Sequence, residues 1–187
     1  MHRRAFILTS TAALVAGPAL AAKAAPTSPF GVSVNGAAAS LEVQTALFKQ
    51  QMKAMGYGGA DVFYELKGAA STTRFKSADA LVFSSAESAD VDPQQIFGLF
   101  RLTTVKNTRR LPTGKVNPLG YGTRNVKNAS AVAFTATRGD AGWSLAPAEP
   151  LAAGEYALAI APKLGNNSWG WGGKGGGNQV VSAFGVD

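Results

Sequence analysis

Apolar and polar residues alternate over much of the chain from residue 30 onward. Every second residue of 30–34 is apolar, which is the period of a half-buried strand. Asn35 and Gly36 follow, and this dipeptide favours a tight hairpin because both residues tolerate a positive φ. The same alternation predicts further strands at residues 41–44, 61–67, 80–84, 98–106, 130–137 and 180–186. The pattern therefore predicts a mainly β protein.

Two segments have a helical pattern instead. Residues 45–55 place apolar side chains near one helical face, and Gly56 could end that helix. The residues on that face are Leu47, Phe48, Gln51, Met52 and Met55. We interpret this stripe as core rather than as a ligand site. Asp92 before Pro93 is typical of a helix start and predicts a single turn ahead of the next strand.

The segment around Tyr156 indicates the architecture. Leu151 and Gly154 precede Tyr156, which opens an alternating strand. This arrangement resembles the tyrosine corner of immunoglobulin-like and fibronectin type III sandwiches. The resemblance implies that the tyrosine hydroxyl returns to the backbone a few residues upstream; the alternative is that Tyr156 is simply the first core aromatic of its strand. With about nine short strands, we predict an all-β, immunoglobulin-like antiparallel β-sandwich with at most one short helix.

The N-terminus has the pattern of an export signal. Residues 1–24 combine basic residues, an apolar stretch and small residues at two cleavage sites, which predicts a cleaved signal peptide. Arg3 and Arg4 followed by Phe6 resemble the twin-arginine signal, and an ordinary Sec signal is the alternative. Either route implies a bacterial protein that is periplasmic or secreted. Residues 27–187 then form a single β-sandwich domain, without a segment long enough to span a membrane.

Composition narrows the chemistry that is available. The chain has no Cys, and its one His is His2 inside the leader. Disulfides, cysteine nucleophiles, Cys/His zinc sites and histidine bases are therefore excluded from the mature chain, and we expect no cofactor and no metal. The formal net charge is +7, and removing Arg3 and Arg4 with the leader leaves +5. Cleavage after Ala24 also removes Lys23 and leaves +4.

The remaining positive charge comes from one stretch. Residues 93–139 contain no Asp or Glu. Their cations are Arg101, Lys106, Arg109, Arg110, Lys115, Arg124, Lys127 and Arg138. Prolines and glycines within 106–127 predict a long loop there, and such a basic loop could bind an acidic glycan, a lipopolysaccharide phosphate or nucleic acid. Export and a single aromatic residue, Tyr121, disfavour nucleic acid. The alternative is a solvated loop that only aids solubility.

A second candidate segment is rich in glycine and tryptophan. Seven of the thirteen residues of 165–177 are Gly, and Trp169 and Trp171 lie among them. These indoles could stack on sugar rings or insert into a groove of a partner. The alternative is that they fold back onto the edge of the sandwich.

These observations lead to three functional hypotheses. The first is a non-catalytic envelope protein, not an enzyme, that acts as a binding or accessory module for an envelope protein. The second is a binder of acidic glycan, or of another anionic envelope polymer, through the basic and tryptophan segments. The third is a carboxylate-dependent hydrolase, although the acidic residues between 61 and 92 are not spaced as a catalytic pair.

Overall fold

The computed structural model describes residues 28–53, 59–85, 92–116, 123–125, 130–139, 142–160 and 178–187. Within these ranges the chain forms fourteen strands and one short helix, so the predicted β-rich fold is confirmed. In chain order the elements are β1 Phe30–Val34, β2 Ala37–Ala39, β3 Glu42–Met52, β4 Ala60–Lys67, β5 Arg74–Phe75, β6 Leu81–Ser85, α1 Pro93–Ile96, β7 Phe97–Val105, β8 Thr108–Val116, β9 Thr123–Asn125, β10 Ala131–Val132, β11 Phe134–Gly139, β12 Gly142–Pro147, β13 Gly154–Ile160 and β14 Gln179–Val186.

One sheet is open and antiparallel, with the strand order β11-β12-β6-β1-β2. Strands β1 and β2 meet at Asn35 and Gly36, whose φ angles are 52° and 84°. The predicted hairpin is therefore confirmed. Val32, Phe83 and Leu145 are paired across β1, β6 and β12, and all three are buried. The alternating pattern thus buries one face of this sheet.

The other sheet closes into a barrel. Six strands pair in the ring β7-β13-β14-β3-β4-β8, and β8 pairs back onto β7. Every neighbouring pair in this ring is antiparallel. Strands β9 and β10 attach to β8 and β7, and β5 adds a short parallel pair to β14.

Two strands close the barrel by changing partners along their length. The first half of β3 pairs with β14 and its second half with β4, while β7 pairs first with β13 and then with β8. The side-chain amide of Gln44 donates to the Lys67 carbonyl oxygen at 3.2 Å and accepts from the Lys67 N–H at 3.1 Å. This amide therefore continues the β3–β4 ladder at the point where the backbone of β3 turns to β14.

Alternation divides the buried residues into two cores. One core lies between the open sheet and barrel strands β7, β13 and β14, where Phe184 packs against Phe75, Phe83 and Tyr156. The second core fills the barrel with smaller or branched residues. Its buried members are Ala46, Tyr64, Leu66, Leu102, Leu111, Ala157, Ala159, Val181 and Ala183. Strands β7, β13 and β14 therefore lie between the two cores, with one face toward the open sheet and the other toward the barrel interior.

The single described helix, α1, begins as its sequence predicts. The Asp92 carboxylate accepts from the Gln94 N–H at 3.0 Å, and Pro93 occupies the first turn, so the predicted helix start is confirmed. No helix in the described part of the chain has the length and apolar character that a membrane span needs.

The helix predicted for residues 45–55 is wrong over its described part. Residues up to Met52 belong to β3, where Ala46 is buried inside the barrel and Phe48 packs against Tyr64. The predicted stripe included Leu, Gln and Met side chains, which have good helix propensity. Pairing with β14 over the first half of β3 and with β4 over the second half overrides that weak preference.

The long loop predicted for residues 106–127 is also wrong over its described part. Lys106 and Asn107 form a tight turn, and β8 then runs from Thr108 to Val116. Pro112 lies at a register shift between β4 and β8, which gives a β-bulge. A bulge accommodates a proline inside a sheet, so the residues that indicated a loop mark an irregular strand instead.

Candidate functional site

One end of the barrel is closed by a buried ion-pair cluster centred on Arg109. The Arg109 side chain is 0% exposed, and its Nη2 and Nη1 lie 3.3 Å and 3.4 Å from carboxylate oxygens of Glu42 and Glu155. The guanidinium also donates to the carbonyl oxygens of Lys67 at 3.1 Å and Gly68 at 3.2 Å. This one side chain therefore links strands β8, β3 and β13 across the barrel interior.

The segment after β4 supplies further donors to both carboxylates. The Thr72 N–H donates to Glu42 Oε2 at 2.7 Å, the Ser71 N–H donates to Glu155 Oε2 at 2.8 Å, and the Ser71 hydroxyl donates to Glu42. Burial alone would raise the pKa of Glu42. The hydrogen bonds from Ser71 and Thr72, together with the charge of Arg109, outweigh burial and hold this pKa below its ordinary value.

Arg74 extends the cluster to the C-terminus. Its Nη1 donates to Glu155 Oε1 at 2.8 Å, and its Nε lies 2.9 Å and 3.0 Å from the two carboxylate oxygens of Asp187. The hydrogen bonds from Arg74 lower the pKa of Asp187 and raise that of Arg74. A Cβ at Gly185 would collide with the Arg74 guanidinium, so a larger residue there would have to displace this side chain.

A second charged cluster lies on the outside of the barrel, on β3, β4 and β8 and the residue that follows β3. We call it the outer barrel face and define it by Lys49, Gln51, Lys53, Asp61, Phe63, Glu65, Lys67 and Arg110. These positions alternate with the inward-facing ones on each strand. Lys49 pairs with Glu65, and Lys53 Nζ lies 3.0 Å from Asp61 Oδ1.

Arg110 is held at the centre of this face by three contacts. Its Nε donates to Glu65 Oε2 at 3.0 Å, and its Nη1 donates to Gln51 Oε1 at 3.0 Å. Its guanidinium lies over the Phe63 ring, 4.4 Å from the centroid. The hydrogen bond and the charge of Lys49, followed by those of Arg110, hold the pKa of Glu65 below its ordinary value despite some burial. Glu65 is therefore a persistent anion between two cations.

The other described cations of the basic stretch do not form one loop. Arg101 is exposed, and its Nη2 donates to the Ala153 carbonyl oxygen at 2.8 Å beside Gly154. Lys106 is exposed at the β7–β8 turn, with a φ of 54°. Arg109 is inside the barrel. The stretch is thus divided among a turn, the interior and the outer surface.

Arg138 is exposed on β11 of the open sheet, and the other predicted binding residues lie near or beyond the limits of the described chain. Lys115 and Arg124 pair in register between β8 and β9. Lys127, Trp169 and Trp171 lie outside the described residues. Because the ring is antiparallel, β8 and β13 both end at the side of the barrel opposite Arg109, where β14 begins. The described residues that flank 117–122 and 161–177 are therefore at one end of the barrel.

The hydrogen bond predicted for Tyr156 is present. Its hydroxyl donates to the carbonyl oxygen of Ala152, four residues upstream, at 2.6 Å. The ring stacks on Phe184, and Leu151 is buried in the same core. This contact ties the start of β13 to the segment before it.

The sequence interpretation missed most partners of both clusters. It assigned no site role to Glu42, Glu155, Lys49, Glu65 or Phe63. The sequence does contain one usable signal. Arg109 and Leu111 are two residues apart, so their side chains lie on the same face once 108–116 is treated as a strand. Because Leu111 is apolar, this places Arg109 on the buried side. The acidic partners are distant in sequence and carry no comparable local signal.

No group of three or more His, Cys, Asp or Glu side chains within the described ranges is arranged to hold a metal ion. Comparisons with protein-family models, with curated proteins and with solved structures give no match for this chain. Any functional assignment therefore rests on the residues and their geometry.

Proposed function

We propose that this protein is an exported bacterial envelope protein that acts as a non-catalytic binding or accessory module. The observation that carries the proposal is the buried ion-pair cluster around Arg109. Arg109 lies between Glu42 and Glu155, and these side chains join three barrel strands. Such an arrangement supports a rigid scaffold that presents its outer surface to a partner.

The electrostatics of the carboxylates support the same role. A general acid or base needs a pKa close to the working pH. Glu42, Glu65 and Asp187 instead have a lowered pKa, because each accepts hydrogen bonds and lies next to an Arg or Lys side chain. These groups are therefore suited to holding structure together as permanent anions rather than to exchanging protons with a substrate.

The finer architectural and cellular assignments are part of the proposal. The bond from Tyr156 to Ala152 and the apolar core between two layers support the likeness to an immunoglobulin-like sandwich. Export rests on the residue pattern of 1–24, with Arg3 and Arg4 as its twin-arginine feature. The expected location is the periplasm or the exterior of the cell.

Export can be tested directly in a bacterial host that has both export routes. We expect the mature chain to start after Ala21 or Ala24, as read by N-terminal sequencing of periplasmic protein. Changing Arg3 and Arg4 together to Lys should stop export if the twin-arginine route is used. Precursor that stays in the cytoplasm with its native leader intact would overturn the export assignment.

The binding role can be tested with the exported protein and fractionated envelope. We expect it to sediment with at least one of three fractions: peptidoglycan, outer-membrane fragments or extracellular polysaccharide. Failure to associate with any fraction at low salt would overturn the proposal. Hydrolysis of an envelope polymer that disappears on a single change such as Asp61→Asn would also overturn it and favour a carboxylate-dependent hydrolase.

A second candidate function, binding of an anionic envelope polymer, is favoured by the clustered cations of the outer barrel face. The flanks of 117–122 and 161–177, which share one end of the barrel, also support it. Arg109 takes no part in such binding, because it is buried.

A further inference from the structure

We infer that the outer barrel face is an anion-binding surface, centred on Arg110, for an anionic polysaccharide. This inference deepens the proposed binding role and rests on it. It places the recognition surface on the paired strands β3, β4 and β8 and not on the loop predicted for residues 106–127. Strands hold side chains at fixed spacing, so their charges can match a repeating polymer.

The first support is the preorganisation of Arg110. Phe63 lies beneath its guanidinium, while Glu65 and Gln51 accept from Nε and Nη1. Among the described residues, Nη2 of Arg110 has no hydrogen-bond partner. A guanidinium fixed in this way loses little conformational entropy when an anion binds, so its remaining N–H groups are ready donors.

The second support is the excess of positive charge. The described cations of this face are Lys49, Lys53, Lys67 and Arg110, against the two anions Asp61 and Glu65. Glu65 serves both Lys49 and Arg110, so one carboxylate is shared by two cations. The face keeps a net charge of +2 after all its ion pairs are formed.

The arrangement favours a polymer over a single small anion. Lys49 on β3 and Arg110 on β8 flank β4, which places their strands roughly 10 Å apart. Lys53 lies four residues beyond Lys49, about 13 Å further along the chain direction. Exposed ion contacts are individually weak and screened by salt, so useful affinity requires several anionic groups on one molecule.

The surroundings of Arg110 favour a polysaccharide over a nucleic acid. Single-stranded nucleic acid is held largely by stacking of bases on exposed aromatic rings. Phe63 is only 6% exposed and is covered by Arg110, so it offers no stacking surface. Gln51 instead provides an exposed amide beside the cations, which suits a polymer rich in hydroxyl groups.

The test uses the exported protein and four probes in calorimetric titrations at low and high salt. Polygalacturonate supplies carboxylates, dextran sulfate supplies sulfates, unmodified dextran is the uncharged control, and single-stranded DNA is the nucleic-acid arm. We expect polygalacturonate and dextran sulfate to bind more tightly than DNA, dextran not to bind, and binding to weaken at high salt. Equal or tighter binding of DNA, or no binding of polygalacturonate at low salt, would overturn the assignment to an anionic polysaccharide.

Two variants locate the surface. Arg110→Ala should weaken polygalacturonate binding about tenfold or more, because a fixed charged donor is lost. Arg138→Ala removes the same charge from exposed β11 and should change the affinity less than about twofold. Equal losses from both variants would overturn the inference, because they would indicate net charge rather than a located surface. Cooperative unfolding of both variants, with no more than the small shift in midpoint expected for an exposed ion pair, excludes misfolding as the cause.

The outcomes separate this inference from the general binding role. If Arg110→Ala still sediments with the envelope as the parent protein does, and its polygalacturonate affinity is unchanged, the outer barrel face is not the binding surface although the binding role stands. If the parent protein associates with no envelope fraction, the binding role itself fails. Lys49→Ala gives an independent check and should lower the polygalacturonate affinity in the same direction as Arg110→Ala.

Discussion

Arg109 and Arg110 are neighbours in the chain, yet they belong to two different regions of the barrel. The Arg109 side chain is 0% exposed and lies between two carboxylates inside the barrel. The Arg110 side chain is 26% exposed and lies on Phe63 at the outer surface. Because successive side chains of a strand point to opposite faces, a single step along β8 separates the two environments.

The comparison shows how the surroundings assign different roles to identical side chains. Inside the barrel, an unpaired charge would be very costly, so Arg109 has carboxylate and carbonyl acceptors around it. Outside, water and salt screen the charge of Arg110, so its ion pair contributes little to folding. Arg109 is therefore expected to matter for stability and Arg110 for recognition.

The largest expected effect follows from removing the buried guanidinium. Arg109→Met keeps an unbranched apolar side chain in the barrel but leaves Glu42 and Glu155 without their shared cation. We expect the free energy of unfolding to fall by about 3–5 kcal/mol, the usual cost of leaving a buried charge without its partner. Urea denaturation followed by tryptophan fluorescence measures this loss.

The matching rescue experiment identifies the cause of that loss. In Arg109→Met, adding Glu42→Gln and Glu155→Gln removes both negative charges that faced Arg109 but keeps amide oxygens for the N–H groups of Ser71 and Thr72. Part of the lost stability should return. A triple variant that is less stable than Arg109→Met would contradict this account, since the buried negative charge would then not be the source of the cost.

The next largest effect concerns acid pH and contrasts Glu42 inside with Glu65 outside. A carboxyl with a lowered pKa in the folded state stabilises the protein fully above its unfolded value, near 4.5, and this contribution is lost as pH falls through the folded pKa. Glu42→Gln should cost about 1.5–3 kcal/mol at pH 7, because it removes hydrogen bonds to a charged acceptor. The variant should also show a weaker loss of stability below pH 4.5.

Denaturant midpoints from pH 7 to pH 2.5 test this prediction, with Glu65→Gln as the matched control. Glu65 also has a lowered pKa, but its partners Lys49 and Arg110 are partly exposed to solvent. Its replacement should therefore change the neutral-pH stability less than Glu42→Gln does. If Glu65→Gln lowered the stability more than Glu42→Gln, the proposed difference between the barrel interior and the outer surface would be wrong.

Local sequence signals predicted several elements correctly because their causes are local. The turn at Asn35 and Gly36, the cap of α1 at Asp92 and the hydroxyl contact of Tyr156 each involve residues within a few positions of one another. Residues 61–67 and 180–186 also lie in the observed strands β4 and β14. Both strands bury apolar side chains in the cores, which explains their apolar content.

The closure of the barrel and the buried cluster depend on distant residues. Arg109 meets Glu42 across 67 positions and Glu155 across 46 positions of the chain. The barrel closes through only three paired positions between β7 and β8. Strand β3 changes partners and strand β8 has a bulge at Pro112. Because neither feature is visible in a local pattern, these strands were predicted as a helix and a loop. Alternation thus describes individual strands but does not fix how they pair.

Neighbouring side chains of strand β13 also face different environments, as those of β8 do, but the expected effect on stability is smaller. Glu155 faces the charged barrel interior, while its neighbour Tyr156 faces the apolar core and stacks on Phe184. Tyr156→Phe removes a neutral hydrogen bond to Ala152 and keeps the aromatic ring. We expect a loss of about 0.5–1.5 kcal/mol in the free energy of unfolding. A loss as large as that of Arg109→Met would contradict the difference drawn between neutral and charged buried contacts.

The smallest expected effect on stability comes from Arg110. Arg110→Ala removes an ion pair with Glu65, a hydrogen bond to Gln51 and the cover of Phe63, all at a partly solvated surface. We expect a decrease of roughly 0.2–1 kcal/mol in the free energy of unfolding, as is typical of exposed pairs, and the difference should shrink further in 0.5 M salt. Denaturation at both salt concentrations measures it. A salt-independent loss of several kcal/mol would show that Arg110 stabilises the barrel as Arg109 does. The two arginines would then not differ in role, and the assignment of stability to Arg109 and recognition to Arg110 would be wrong.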